Sequence, residues 1–148
     1  MSSLKQIESL LESEQINVLE EILDLVMEEV FAERGCLWFH QTDRLIYCGD
    51  EELRKAFPFS RKVVYNVLDE GRGFVSWDPS VDARSSASKS LKTFGIRSVL
   101  CAPVQDRKGD MHAILYFDNG ASEGVFGEDD LKFLTEVAQL LSSFFSVD

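Results

Sequence analysis

The residues of this chain that could do chemistry are few, and they are scattered. Three cysteines, Cys36, Cys48 and Cys101, are odd in number and show no CxxC spacing, so neither a disulfide framework nor a zinc site is indicated. Reduced and mostly buried thiols are expected. The two histidines, His40 and His112, are far apart in the chain; His112 stands alone in an apolar run, where a hydrogen-bonded or edge histidine is the ordinary reading. Arg84, Lys89, Lys92 and Arg97 place four cations within 14 residues of an otherwise acidic sequence. They suit an anionic ligand such as a phosphate, and a solvated helix face accounts for them equally well. No Ser-His-Asp cluster, HExxH or phosphate loop is present, and Gly71-x-Gly73 reads as a helix stop.

The elements that must position these groups follow from hydrophobic patterning. Ile96–Val104 and Met111–Phe117 are nearly continuous apolar runs, each expected as a strand buried on both faces at the sheet centre. The charged stretch from Gln105 to Asp110, with Gly109, joins them as an antiparallel hairpin. Cys36–Phe39 and Arg44–Cys48 form a second hairpin, and Gly73–Trp77 adds another strand. Ser60 opens a short helix through Val63, Val64, Val67 and Leu68, which Gly71 stops. Residues 78–94 are irregular and polar, and read as a lid. Phe126 acts as a hydrophobic staple for a final helix, Glu128–Phe145, whose first turn is acidic.

At the N-terminus, Ser3 and Gln6 form a capping box, and Leu4, Ile7, Leu11, Val18, Ile22 and Leu25 recur at helical spacing. The polar stretch from Glu12 to Gln15 leaves open one helix of about 30 residues or two with a joint. The first dozen residues then have little domain to pack on. Their stripe is therefore expected to pair with a second copy of the chain beside the C-terminal helix, the alternative being that it packs back on its own domain.

Composition sets the outer limits. A chain of 148 residues with 45% apolar content and 11 phenylalanines buries one core and has no room for a second domain of ordinary size. The first 15 residues lack a signal-peptide pattern, and no apolar window is long enough to span a bilayer. A cytoplasmic protein without membrane contact is expected. A net charge of −11 opposes direct binding to nucleic acid.

Taken in order, INVLEEILDLVMEEVFAERGCLWFH, SRKVVYNVLDEGRGFVSWDP, GIRSVLCAPV, AILYFDN, Phe126 and GEDDLKFLTEVAQLLSSFF resemble a GAF domain. The likeness covers residues 16–148 and leaves 1–15 as a helical extension. It implies an α+β fold: a central antiparallel sheet of five to six strands, with the N- and C-terminal helices on one face and short helices and a lid on the other. In that family the ligand pocket lies between the sheet and the lid. The implied wall is Trp77, Asp78, Arg84, Ser85, Ser88, Phe94 and Arg97, and the implied floor Ser98, Cys101, Tyr116 and Trp38. Strand alternation puts Arg97, Val99 and Cys101 on one face and Ser98, Leu100 and Ala102 on the other. Which face meets the pocket stays open.

The resemblance also implies what the site holds. The cyclic-nucleotide-binding subset carries an Asn-Lys pair, a Phe, three further residues and an Asp-Glu pair; Asn119, Phe126 and Asp130 match, while Gly120 and Leu131 replace the lysine and the glutamate. A bilin needs a suitably placed cysteine, usually before histidine, and the pairs here are Cys36-Leu37, Cys48-Gly49 and Cys101-Ala102. Haem would need His40 or His112 as axial ligand. A methionine sulfoxide reductase of this fold needs a lid cysteine, and residues 78–96 have none, so no enzyme is expected. The expected function is a regulatory small-molecule sensor excised from a larger bacterial signalling chain, such as an enhancer-binding transcription activator, a cyclase or a histidine kinase. Its partners would be a second copy through the terminal helices and an effector domain, and its ligand a cyclic nucleotide or another small molecule. The alternative is a ligand-free dimerisation or protein-docking module.

Overall fold

The computed structural model describes residues 3–12, 18–49, 61–76, 98–119 and 126–145. The helices are α1 (Ser3–Glu12), α2 (Val18–Val30), α3 (Arg61–Glu70) and α4 (Glu128–Phe145). The strands are β1 (Arg34–Phe39), β2 (Arg44–Gly49), β3 (Phe74–Ser76), β4 (Ser98–Gln105) and β5 (Met111–Asn119). All four strand pairings are antiparallel, in the order β2-β1-β5-β4-β3. The two long apolar runs thus occupy the middle of an α+β fold, as their two-sided hydrophobicity requires.

Strand alternation sorts the core into two layers. Leu37, Leu100, Ala102, Val104, Ala113, Leu115 and Phe117 share one cluster with Ile7 of α1, Ile22 and Val26 of α2, and Leu134 and Leu141 of α4. The opposite face carries Cys36, Trp38, Val99, Cys101, Ile114 and Tyr116 against Val64 and Val67 of α3. Gly35 permits close packing in the first layer: a Cβ there would lie 2.5 Å from the Phe117 ring and 2.8 Å from the Cys48 sulfur.

Local chemistry fixes the element ends. Gly71, at φ 69°, closes α3, its N–H donating to the Val67 carbonyl at 2.9 Å. At the start of α4, Asp130 accepts from the Gly127 N–H at 2.9 Å while its own N–H donates to the Gly127 carbonyl at 3.1 Å, a reciprocal cap. Phe126 is 2% exposed beneath it, which fulfils the staple.

The N-terminus departs from expectation. Ser3 does not close a box with Gln6; its hydroxyl donates to Glu29 of α2 at 2.9 Å. Nor do the first dozen residues lack a domain to pack on. Ile7 is fully buried within the first core layer, flanked by Leu4, Leu10 and Leu11, so α1 folds back on its own chain. The apolar stripe of α2 runs through Leu23 and Val26, with Leu25 only partly buried, because 3.6 residues per turn carries the buried line off the predicted register.

Ile7→Ala leaves a cavity under α1 and is expected to destabilise the fold by about 2–5 kcal/mol. Urea unfolding checks this; an unchanged midpoint would mean that α1 is not part of the cooperative core.

Candidate functional site

The α3-facing side of the sheet brings together three of the floor residues. Cys36 of β1 and Cys101 of β4 both pair across to Tyr116 of β5, so Tyr116 lies between them, with Trp38 one step along β1. Cys101 and Tyr116 are fully buried and Trp38 is 7% exposed. Ser98 is not with them: it is buried but shares its face with Leu100 and Ala102, which turn toward the terminal helices. Val99 and Cys101 therefore answer which face of β4 meets α3. Trp77, Asp78, Arg84, Ser85, Ser88, Phe94 and Arg97, the whole predicted wall, lie outside the described residues, as does the four-cation group.

Asp43, in the β1–β2 turn at φ 58°, fixes Trp38 by accepting its indole N–H at 2.8 Å. Tyr65 of α3 meets the Trp38 ring edge-on, with centroids 6.2 Å apart. An aromatic corner results, anchored by a polar contact and flanked by an aromatic ring.

The same face holds a feature that sequence reasoning missed. Arg34 Nε and Nη2 donate to the two carboxylate oxygens of Asp118 at 2.8 and 2.6 Å, and the Tyr116 hydroxyl donates to Asp118 at 2.9 Å. Arg34 is 5% and Asp118 1% exposed. Burial pushes the Asp118 carboxyl up from its ordinary range, and the guanidinium and the phenol pull it back. Such a pair repays its desolvation only when every oxygen is bonded, as here. A signal was present: Asp118 sits at even spacing from Tyr116 and Ile114 in an apolar strand that leaves a carboxylate no water.

The three matches to the cyclic-nucleotide pattern each have structural work. The Asn119 side chain donates to the Phe31 carbonyl at 2.9 Å, Phe126 is core, and Asp130 caps α4. The cysteines are free and buried, as expected, and burial raises the pKa of the Cys36 and Cys101 thiols, which keeps them protonated at neutral pH. A groove of about 390 Å³ opens elsewhere, between α4 and the β4 end, lined by Arg72, Gln105, Asp106, Thr135, Gln139 and Ser142. It contains none of the predicted site residues. The Thr135 and Ser142 hydroxyls there bond carbonyls of their own helix, Leu131 and Gln139. Among the described residues, no group of three or more His, Cys, Asp or Glu side chains is placed to hold a metal, and no helix is long and apolar enough to cross a membrane.

Asp118→Asn leaves the Arg34 charge buried without its counterion and is expected to cost about 3–5 kcal/mol in thermal or urea unfolding. The paired replacement Arg34→Met with Asp118→Leu is expected to recover most of that loss. A single substitution that costs nothing would show that the pair is not buried in solution.

Comparison with solved structures gives the same fold over almost the whole chain. A free methionine-R-sulfoxide reductase of Staphylococcus aureus, in complex with substrate, is 17% identical with a TM-score of 0.73, covering 97% of this chain and 94% of that one. The corresponding reductase of Neisseria meningitidis, also with its substrate, is 22% identical with a TM-score of 0.71, covering 97% and 86%. The A. aeolicus nlh2 GAF domain in an inactive state is 12% identical with a TM-score of 0.66, covering 97% and 93%. A search of the curated proteins gave no match. The expectation that this chain is not an enzyme is corrected by these relatives, since two of them are reductases built on its fold and an enzymatic role is open to it. That expectation weighed cysteine positions against one known arrangement, which is a narrower test than the fold itself. The GAF domain model matches residues 15–143, and the chain belongs to the GAF domain family.

Proposed function

We propose that this GAF domain is a regulatory small-molecule-sensing module of a bacterial signal-transduction protein. Its ligand would sit on the α3 face of the sheet, and its state would be passed on through α1, α2 and α4 to a second copy of the chain and an effector domain. One observation carries the reading. The two sheet faces are built differently: three helices close one with apolar side chains, while the other gathers Trp38, Tyr116 and a buried Arg34–Asp118 pair. Pockets that bind small molecules combine an apolar or aromatic lining with a few fixed polar groups, and this floor has both. A cytoplasmic site of action and control of transcription belong to the same proposal, as does a cyclic nucleotide among the ligands to be tried.

The second reading, a ligand-free dimerisation or docking module, has an observation of its own. Val64 and Val67 pack directly on the floor, and Cys101 and Tyr116 have no exposed surface. A floor already filled by side chains leaves no volume for a guest.

Native mass spectrometry of gently purified protein separates the two readings. An added small-molecule mass, lost on Trp38→Ala, is the outcome expected for a sensor; a clean dimer mass, with no rise in melting temperature across cyclic nucleotides and amino acids, would overturn sensing in favour of docking. The same sample, incubated with free methionine-R-sulfoxide and a dithiol reductant, tests the activity of the reductase relatives by the appearance of methionine.

A further inference from the structure

Strand β4 is paired further along one edge than along the other. It pairs with β5 from Ser98 to Gln105, whereas β3 covers only Val99 to Cys101. Beyond Cys101 its outer edge has no strand beside it among the described residues. Two hydrogen bonds fix which main-chain groups face outward there. The Asp118 carbonyl accepts the Glu33 N–H on the β1 side, so the main-chain groups of Ile114, Tyr116 and Asp118 face β1, and those of Ala113, Leu115 and Phe117 face β4. The Asp106 N–H donates to the Asp110 carbonyl at 3.0 Å, which puts Asp106, and by alternation Val104 and Ala102, on the β5 side. The register shift after Val104 skips His112 of β5 and leaves the β4 alternation intact. Pro103 and Gln105 therefore turn their main-chain groups away from β5. The proline agrees, since within a sheet it is confined to positions whose N–H has no strand to bond. The open edge thus offers the Pro103 carbonyl and, two residues on, the Gln105 N–H and carbonyl.

The groove of about 390 Å³ lies along this edge, with Pro103 and Gln105 on one side, Ala138 and Gln139 of α4 on the other, and Arg72 at its end. Its volume is in the range of ligand clefts. The side-chain amides of Gln105 and Gln139, each a donor and an acceptor, make no hydrogen bond among the described residues. Arg72 is the cation among the lining residues, and its one bond among the described residues runs from Nε to Glu70 at 3.4 Å. The anion of the lining, Asp106, is already engaged: Oδ1 accepts the N–H groups of Lys108 and Asp110 at 2.9 and 3.0 Å, and Oδ2 lies 2.9 Å from His112 Nε2. The charge left to meet a ligand is the guanidinium.

We propose that the open edge of β4 and the groove beside it bind a short extended peptide ending in a carboxylate, which bonds Pro103 and Gln105 through its main chain and sets the carboxylate on Arg72. Main-chain groups that face outward at every second residue are what an added strand matches, and this is how sheet edges take up peptides. From Ala102 to Gln105 the edge runs about 13 Å at 3.3 Å per residue, room for about four residues of peptide. The Gln105 and Gln139 amides can bond the peptide groups that face away from the edge. The inference is independent of the sensing proposal, because none of the α3-face floor residues lines the groove.

The test is titration of the isotope-labelled full chain, by two-dimensional NMR, with the N-acetylated free acid Thr-Val-Thr-Val, since main-chain recognition is tolerant of sequence. Saturable shifts are expected at the Gln105 and Gly73 amides and at the side-chain amides of Gln105 and Gln139, with a dissociation constant in the millimolar range. The same probe methylated on every peptide nitrogen is expected to bind at least about 10-fold more weakly, because it has no N–H to give the edge. Arg72→Gln, at an exposed side chain that leaves the fold intact, is expected to weaken binding of the free acid about 2–5-fold and to erase its advantage over the C-terminal amide. Absence of saturable shifts at Gln105 and Gly73 would overturn the proposal, as would equal binding of the methylated probe or shifts confined to Trp38 and Tyr65. Equal binding of acid and amide by the wild type would overturn the role given to Arg72.

Discussion

Strand β5 is the constraint on which the rest of the structure depends. It lies third of five in the sheet, and from Ala113 to Asn119 every residue is buried. Seven consecutive positions without water must each find a partner of their own kind. The odd positions, Ala113, Leu115 and Phe117, draw in the terminal helices; the even positions Ile114 and Tyr116 draw in α3. The polar residues at the strand end then have no freedom. Asp118 is stable only with Arg34 and Tyr116 on its oxygens, and Asn119 only with a carbonyl such as that of Phe31.

Much of this was legible because apolar period and turn chemistry report directly on burial. The α4 bounds, the β4–β5 hairpin and the Gly71 stop follow from residues whose local preferences agree with the fold. What failed was of a different kind. That α1 packs on its own domain depends on how close α2 and α4 come to it, and no spacing within residues 1–12 states that distance. The Arg34–Asp118 pair joins positions 84 apart, and a single sequence does not show that β1 and β5 are neighbours. A residue weighed alone is assigned the ordinary role of its type, whereas chemistry resides in pairs that only the register creates.

The function was legible to the level of the family and no further. Consecutive segments in order identify a scaffold, and scaffold and activity are separable properties. The correction on catalysis illustrates this. Absence of a lid cysteine speaks against one particular arrangement of nucleophile and resolving thiol, while the fold itself is shared by reductases at 17% and 22% identity. Exclusions drawn from a missing motif are therefore weaker than identifications drawn from a motif that is present.

The strand end also ties the two sheet faces together. Asp118 and Asn119 are adjacent in β5, yet their bonds reach different parts of the structure. The Asp118 side chain closes the polar floor, and its backbone carbonyl accepts the Glu33 N–H at 3.0 Å. The Asn119 side chain holds the carbonyl of Phe31, which stands in the left-handed region at φ 60° directly after α2. A left-handed non-glycine residue persists only where its surroundings hold it. The end of α2 is thus held by two neighbouring residues of β5, one of which closes the floor. The packed helices allow discrete shifts more readily than gradual deformation. The junction from Phe31 to Arg34 is thus bonded both to the α3 face and to the end of α2.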